Sequence, residues 1–208
     1  MLDPVTLAGS HVLLEPLSLE HVPDLVRAAT RSRETYEFTG VPADEPSMRR
    51  YVEDALAERD LGTMLPFATI DCHAKLVVGT TRFGNIEFWN WPDGSSHQRG
   101  THLPDVAEIG WTWLAPEAQR TGINTEAKLL MLTFAFESWL VHRVSFRVSD
   151  ARNKRSRAAI ERIGGRLDGV VRAVQIAYDG SIRDMAVYSV LDSEWPAAKQ
   201  RLAARLRS

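Results

Sequence analysis

Residues 118–128, AQRTGINTEAK, bring Gln119, Arg120, Thr121, Gly122 and Asn124 together just before a long apolar segment. A helix that begins there leaves its first backbone N–H groups without partners and carries partial positive charge, which suits a phosphate. Gly122 would permit close approach of a ligand or a positive φ, Arg120 could reach a phosphate oxygen, and the helix after Asn124 would aim its dipole at it. The same residues satisfy a plainer reading, with Asn124 as an N-cap and Gly122 as a turn residue. The stretch is neither GxxxxGK[ST] nor GxGxxG, so a P-loop is excluded and a dinucleotide fold is disfavoured. Two more groups of chemical interest flank the turn. Glu108 places a carboxylate on an alternating segment upstream, and Asn153 and Ser156 stand three apart at the start of a helix downstream. Asn and Ser are also ordinary caps. Arg120, Lys154, Arg155 and Arg157 add positive charge nearby, a composition shared with any solvated basic face.

The elements that must position these groups follow from periodicity. VTLAGSHVLLEPL reads as two extended pieces around Gly9 and Ser10, followed by a helix from Ser18 or Glu20 to about Ser32 and a second from about Pro46 to Asp60, with Ser47 near its start. PFATIDC and KLVVGTTRFGNIEF favour strands, and residues 89–104, WNWPDGSSHQRGTHLP, form a long loop. VAEIGWTWL alternates, with Ile109, Trp111 and Trp113 on one face and Glu108, Gly110 and Thr112 on the other. A helix from about Thr125 to Leu140 and the strand RVSFRVS come next. A shorter helix from Lys154 to Ile163 then closes on Gly164 and Gly165, ahead of a hairpin turning at Asp179 and Gly180 and a last helix from SEWP.

With 208 residues, 44% hydrophobic and 25% charged, one compact domain spanning 1–208 is expected. A net charge of -2 disfavours broad binding to nucleic acid or anionic lipid. The lone Cys72 has no internal disulfide partner, and His11, His21, His73, His97, His102 and His142 lack zinc-site spacing, so a reducing cytoplasm and no metal are expected. No apolar run reaches the roughly 18 residues of a membrane span, and no cleavable leader is evident, so the chain is expected to be soluble and unprocessed.

EIGWTWLAPEAQRTGINTEAKLLMLTFAFE followed by DARNKRSRAAIERIGG resembles the GNAT superfamily of acyl-CoA-dependent N-acyltransferases, in the branch related to the RimJ/RimL-type enzymes that acetylate ribosomal-protein N-termini. That family's pyrophosphate turn, [QR]-x-x-G-x-[GA], is matched by Gln119–Asn124 except at Asn124, where a small residue is usual. The likeness runs from about Leu13 to Trp195. It implies an α/β (α+β) fold with a mixed, mostly antiparallel twisted sheet flanked by helices, and acetyl-CoA as co-substrate.

The resemblance also implies roles. Gln119, Arg120, Thr121, Gly122, Ile123, Asn124 and Thr125 would hold the pyrophosphate, and the backbone of Trp113 and Leu114, on a strand splayed from its neighbour, would hold pantetheine. Asn153 would contact pantetheine or a water, Glu108 would be the base, and Ser156 would protonate the departing thiolate in place of the tyrosine many relatives use. Cys72 lies outside these motifs, so direct attack in a ternary complex is expected rather than an acyl-enzyme. Tyr36, Phe38 and the loop FWNWPDGSSHQ lie where an acceptor could be bordered. The acceptor would be a primary amine, either a peptide N-terminus or a small molecule such as an antibiotic, polyamine or amino-acid analogue. A non-catalytic acyl-CoA-binding regulator is the rival from another class. Nothing in the sequence argues against a homodimer.

Overall fold

The computed structural model describes residues 3–100, 102–177 and 180–207. The chain opens with a small hairpin of β1 (Leu7–Ala8) and β2 (Val12–Pro16) around Gly9 and Ser10. A 3-10 turn at Leu19–His21 leads into α1 (Val22–Thr30), whose Val22, Leu25, Ala28 and Ala29 recur at helical spacing and are buried. In α2 (Glu45–Asp60) the cap is Asp44, whose carboxylate accepts from the Ser47 N–H at 2.9 Å. β3 (Leu65–Asp71) and β4 (Leu76–Glu87) follow. Both are buried along most of their length, which explains their nearly continuous apolar and β-branched runs.

β5 (Val106–Leu114), α3 (Gly122–Thr133), β6 (Arg143–Val148) and α4 (Lys154–Arg162) form the central unit. α3 runs on through a π turn at Phe134–Ser138. The hairpin of β7 (Arg166–Ile176) and β8 (Ile182–Leu191) and then α5 (Trp195–Arg207) complete the chain. Asp179, expected at that hairpin's turn, lies outside the described residues; Gly180 has φ +79. Eight strands make one sheet in the order β1-β2-β3-β4-β5-β6-β8-β7, antiparallel except for β5 with β6. α1 and α2 cover one face and α3 and α5 the other: Arg82 reaches α2 through the Tyr51 carbonyl, while its neighbour Thr81 meets Lys128 of α3.

Two irregularities shape the centre. First, β5 and β6 pair only at Val106–Arg143, Ala107–Val144 and Glu108–Ser145, after which they part. Second, Thr80 pairs with Trp113 and Arg82 with Gly110, so β5 carries one residue more than β4 between those pairs. This is a β-bulge, and Trp111 sits in it at φ +50. The alternation read along VAEIGWTWL therefore holds only to Gly110. Thr112 does not share the face of Glu108 as expected. It turns to α3 and meets Lys128 Nζ at 2.8 Å and Thr81 Oγ1 at 2.8 Å.

Candidate active site

The turn before α3 is built differently from its sequence reading. Thr121, not Asn124, is the N-cap: its Oγ1 accepts from the Ile123 N–H at 3.3 Å and donates to the Ala118 carbonyl at 2.8 Å. The helix therefore starts at Gly122, three residues earlier than expected, and the N–H groups of Gly122 and Asn124 lie in its unpaired first turn. The positive φ falls on Arg120, at +62, whose side chain is exposed. Gly122 serves close approach instead, because a Cβ there would stand 3.1 Å from the His11 ring. Asn124 keeps its Oδ1 buried and unpartnered, so its amide is turned inward. Thr125 follows on the first turn, half-buried.

Sequence reasoning missed what fastens this turn. Glu126 accepts from the N–H groups of Ser10, His11 and Val12 at 3.0, 2.6 and 2.8 Å and from the Ser10 hydroxyl at 2.9 Å. Burial works against its charge, but these four donors outweigh burial and hold the carboxyl below its usual range. Gly9 is required beside it, since a Cβ would stand 2.3 Å from the carboxylate. The only forewarning was a charged residue one turn inside an apolar helix.

Glu108 lies at the closed end of the splay, 4% exposed. Its Oε2 accepts from Asn85 Nδ2 at 2.7 Å and pairs with Arg147 Nε at 3.0 Å. Burial raises its affinity for a proton and outweighs the opposing Asn85 bond and Arg147 charge, so the carboxyl sits above its usual range. Gly110, next on the same face, leaves room beside Oε1: a Cβ there would stand 3.2 Å from it. A second titrating group lies behind β5. Burial pushes the Lys128 amine down to about 7, between the hydroxyls of Thr81 and Thr112.

On the other side of the splay, Asn153 caps α4 by accepting from the Ser156 N–H at 3.0 Å, so its Oδ1 does what the plainer reading required. Ser156 is half-buried on the first turn. The Leu114 carbonyl already accepts from Tyr36 Oη at 3.1 Å and Gln119 Nε2 at 2.8 Å, which limits that residue's use for a ligand. Trp113 is buried edge-on to Tyr36. The segment between α1 and α2 crosses the opening: Thr35 Oγ1 accepts from Gln119 at 2.9 Å, and the Thr35 carbonyl accepts from Arg155 at 2.8 Å. Tyr36 and Phe38 thus lie over the splay. The loop of Trp89 and Trp91 does not: it is tied to Asp105 and stacked on His142, at the entry of β5 and β6.

Beside Glu108, on the α2 face, a cavity of about 450 Å³ opens between Tyr51, Met64, Arg82, Asn85 and Trp111. The bulge creates one wall by laying the Trp111 indole over Gly84, where an added Cβ would come within 2.5 Å of the ring. The one advance signal for this cavity was an arginine inside the apolar strand LVVGTTRFGNIE.

The features present fit acetyl-CoA: unpaired first-turn amides with Arg120 beside them, a stretch of β5 unpaired on its β6 side, and a carboxyl of raised proton affinity at the closed end. The model of the acetyltransferase (GNAT) domain matches residues 11–166. The chain belongs to the GNAT acetyltransferase family. It is therefore an acyltransferase of the kind that uses acetyl-CoA. It is 38% identical over 93 residues to the "Putative ribosomal N-acetyltransferase YdaF" of Bacillus subtilis (strain 168), a match covering 45% of this chain and 49% of that protein. The match thus spans about half the length of that curated relative. A GCN5-related N-acetyltransferase from Brucella melitensis superposes with a TM-score of 0.83 at 29% identity, covering 98% of this chain and 86% of that one. RimJ of Mycobacterium smegmatis, solved with CoA-disulfide, shares the fold with a TM-score of 0.78 at 24% identity, covering 97% and 95%. Among the described residues no helix is long and apolar enough to cross a membrane.

Proposed function

We propose that this acetyltransferase modifies a primary amine, the α-amino group at a peptide N-terminus, by direct attack in a ternary complex. The observation that carries the reading is Glu108: a buried carboxyl with a raised proton affinity, joined through Asn85 to a cavity open to an acceptor. An α-amine has a pKa near 8 against about 10.4 for lysine, so a carboxylate poised above its usual range suffices to take its proton. Acetyl-CoA supplies the activated thioester. The amides of Gly122 and Asn124 with Arg120 hold its pyrophosphate, supported by Gln119, Thr121, Ile123 and Thr125, and the backbone of Trp113 receives pantetheine. Ser156 returns a proton to the thiolate, and Asn153 fixes the helix turn that presents it. Cys72 follows β3 with its N–H on the His11 carbonyl, on the pyrophosphate side rather than at Glu108, which supports direct transfer. Every residue invoked comes from one protomer, and the setting is the cytoplasm, where acetyl-CoA is at hand.

The test is release of CoA thiol from acetyl-CoA in the presence of N-terminally free peptides and small amines. Turnover with peptides that is lost when their α-amine is blocked supports the reading. Turnover with small amines alone moves the acceptor to that class, and tight acetyl-CoA binding without any turnover makes the protein a regulator. Gly122→Trp tests the turn: unchanged acetyl-CoA affinity removes it from the site.

A further inference from the structure

Arg82 is the strangest residue of the cavity beside Glu108. It stands on β4, 4% exposed, and a guanidinium keeps its charge at any ordinary pH. Among the described residues its contacts are the Met64 sulfur at 3.5 Å, the Tyr51 carbonyl at 3.4 Å and the Tyr51 ring face at 4.2 Å, while Nε has no partner. None of these is an anion. Burying a cation without one is costly, and a chain needing only to fill that space would do better with an apolar side chain. Yet the guanidinium lines an open cavity, so an anion can come from outside.

The strand register says what that anion belongs to. Arg82 and Gly84 lie one pleat repeat apart on one face, about 7 Å, and Gly84 pairs with Glu108. Asn85 lines the cavity and donates to Glu108, so the cation lines the space and the proton acceptor adjoins it through one amide. A molecule with its amine at Glu108 and a carboxylate a few atoms away spans the interval. Asp54 and Glu58, exposed and one helical turn apart on α2, give the mouth the opposite sign, which draws the ammonium end of such a molecule inward.

Building on the acetylation reading above, we propose that Arg82 binds a carboxylate of the acceptor and makes this enzyme selective for amines that carry one close to the reacting nitrogen. The carboxylate comes either from an acidic side chain on the first residue of a peptide or from the α-carboxylate of a free amino acid. Either meets the planar fork of the guanidinium in a charge-assisted pair, while an uncharged isostere leaves the buried cation unpaired.

The experiment compares CoA release with peptides beginning Asp or Asn, otherwise identical, and with free aspartate, asparagine and their α-amides. The expected kcat/KM ratio is about tenfold or more in favour of the carboxylate in one pair or the other, and the pair showing it identifies the source. Arg82→Met brings that ratio to about one by raising KM, with acetyl-CoA affinity and melting temperature kept as measures of an intact fold. Arg82→Lys, which keeps the charge and loses the fork, retains part of the preference and decides the matter if the Met variant does not fold. A wild-type ratio near one in every pair, or a preference that survives in a folded Arg82→Met, overturns the proposal. If no amine releases CoA, aspartate and asparagine are titrated into the acetyl-CoA-loaded protein by calorimetry. Aspartate binding that Arg82→Met abolishes then keeps the carboxylate site and sinks only the acetylation reading, whereas absent binding, or binding equal in wild type and Arg82→Met, sinks the site.

Discussion

Glu108 and Glu126 are both buried glutamates of the central β-α-β unit, 4% and 7% exposed, yet they lean in opposite directions. Glu126 faces four donors that belong to the β1–β2 turn and holds its negative charge firmly. Glu108 has Asn85 and one half-exposed arginine, too little to repay burial, and so it leans toward its protonated form. Burial alone thus predicts nothing about a carboxylate's task. The number of donors turned toward it separates a carboxyl held charged from one with a raised affinity for a proton.

Substitution should separate them cleanly. Glu108→Gln is expected to lower kcat roughly 10²–10⁴-fold. It also removes the limb of kcat/KM that rises with pH through this carboxyl's pKa, above the ordinary carboxylate range. Stability should move the other way. Because the folded pKa is raised, the folded state holds the extra proton between the unfolded and folded values, so wild type loses stability as pH rises through that window. The Gln variant, measured by chemical denaturation at neutral pH, should then be no less stable than wild type. Glu126→Ala is expected to cost about 3 kcal/mol by orphaning buried N–H groups, and to weaken acetyl-CoA binding by loosening His11 against Gly122. With its folded pKa depressed, the stability Glu126 contributes is present above the unfolded carboxylate pKa and lost as pH falls through the folded one, a loss the Ala variant should not show.

Lys128 sharpens the comparison from the side of a base. Its amine titrates at about 7 in the fold, against about 10.4 unfolded. Between those values the unfolded chain carries the extra proton. Stability should therefore rise with pH, by up to about tenfold in the folding constant per unit, and Lys128→Met should flatten that rise and be the more stable variant near neutrality. The smallest effect is expected of Gly84→Ala, whose methyl displaces the Trp111 ring. Acceptor KM should rise about tenfold, by roughly the worth of one lost pocket contact, while acetyl-CoA affinity measured by calorimetry stays put.

The turn at 119–124, the strands around it and the order of elements were legible because each is written in consecutive residues. Even there the cap was misplaced from Thr121 to Asn124, since both residue types cap helices and only backbone geometry chooses. The Glu126 clamp joins residues more than 110 positions apart, and the cavity beside Glu108 draws on α2, β4 and β5 together. No period or spacing encodes such meetings. The face of Thr112 was lost for another reason, as strict alternation has no place for an extra residue.

That extra residue gives β5 a change of parity. Before it, even positions face the α2 side and odd ones the α3 side; after it they exchange, so Thr112 meets Lys128 while Trp113 packs on Tyr36. Removing a single residue at Trp111 would restore the simple count and leave Thr112 opposite Thr81, still facing Lys128. The tail of the strand would keep its faces, and what would go is the indole that walls the cavity over Gly84, so a one-residue deletion here would act on the cavity and spare the layer behind it.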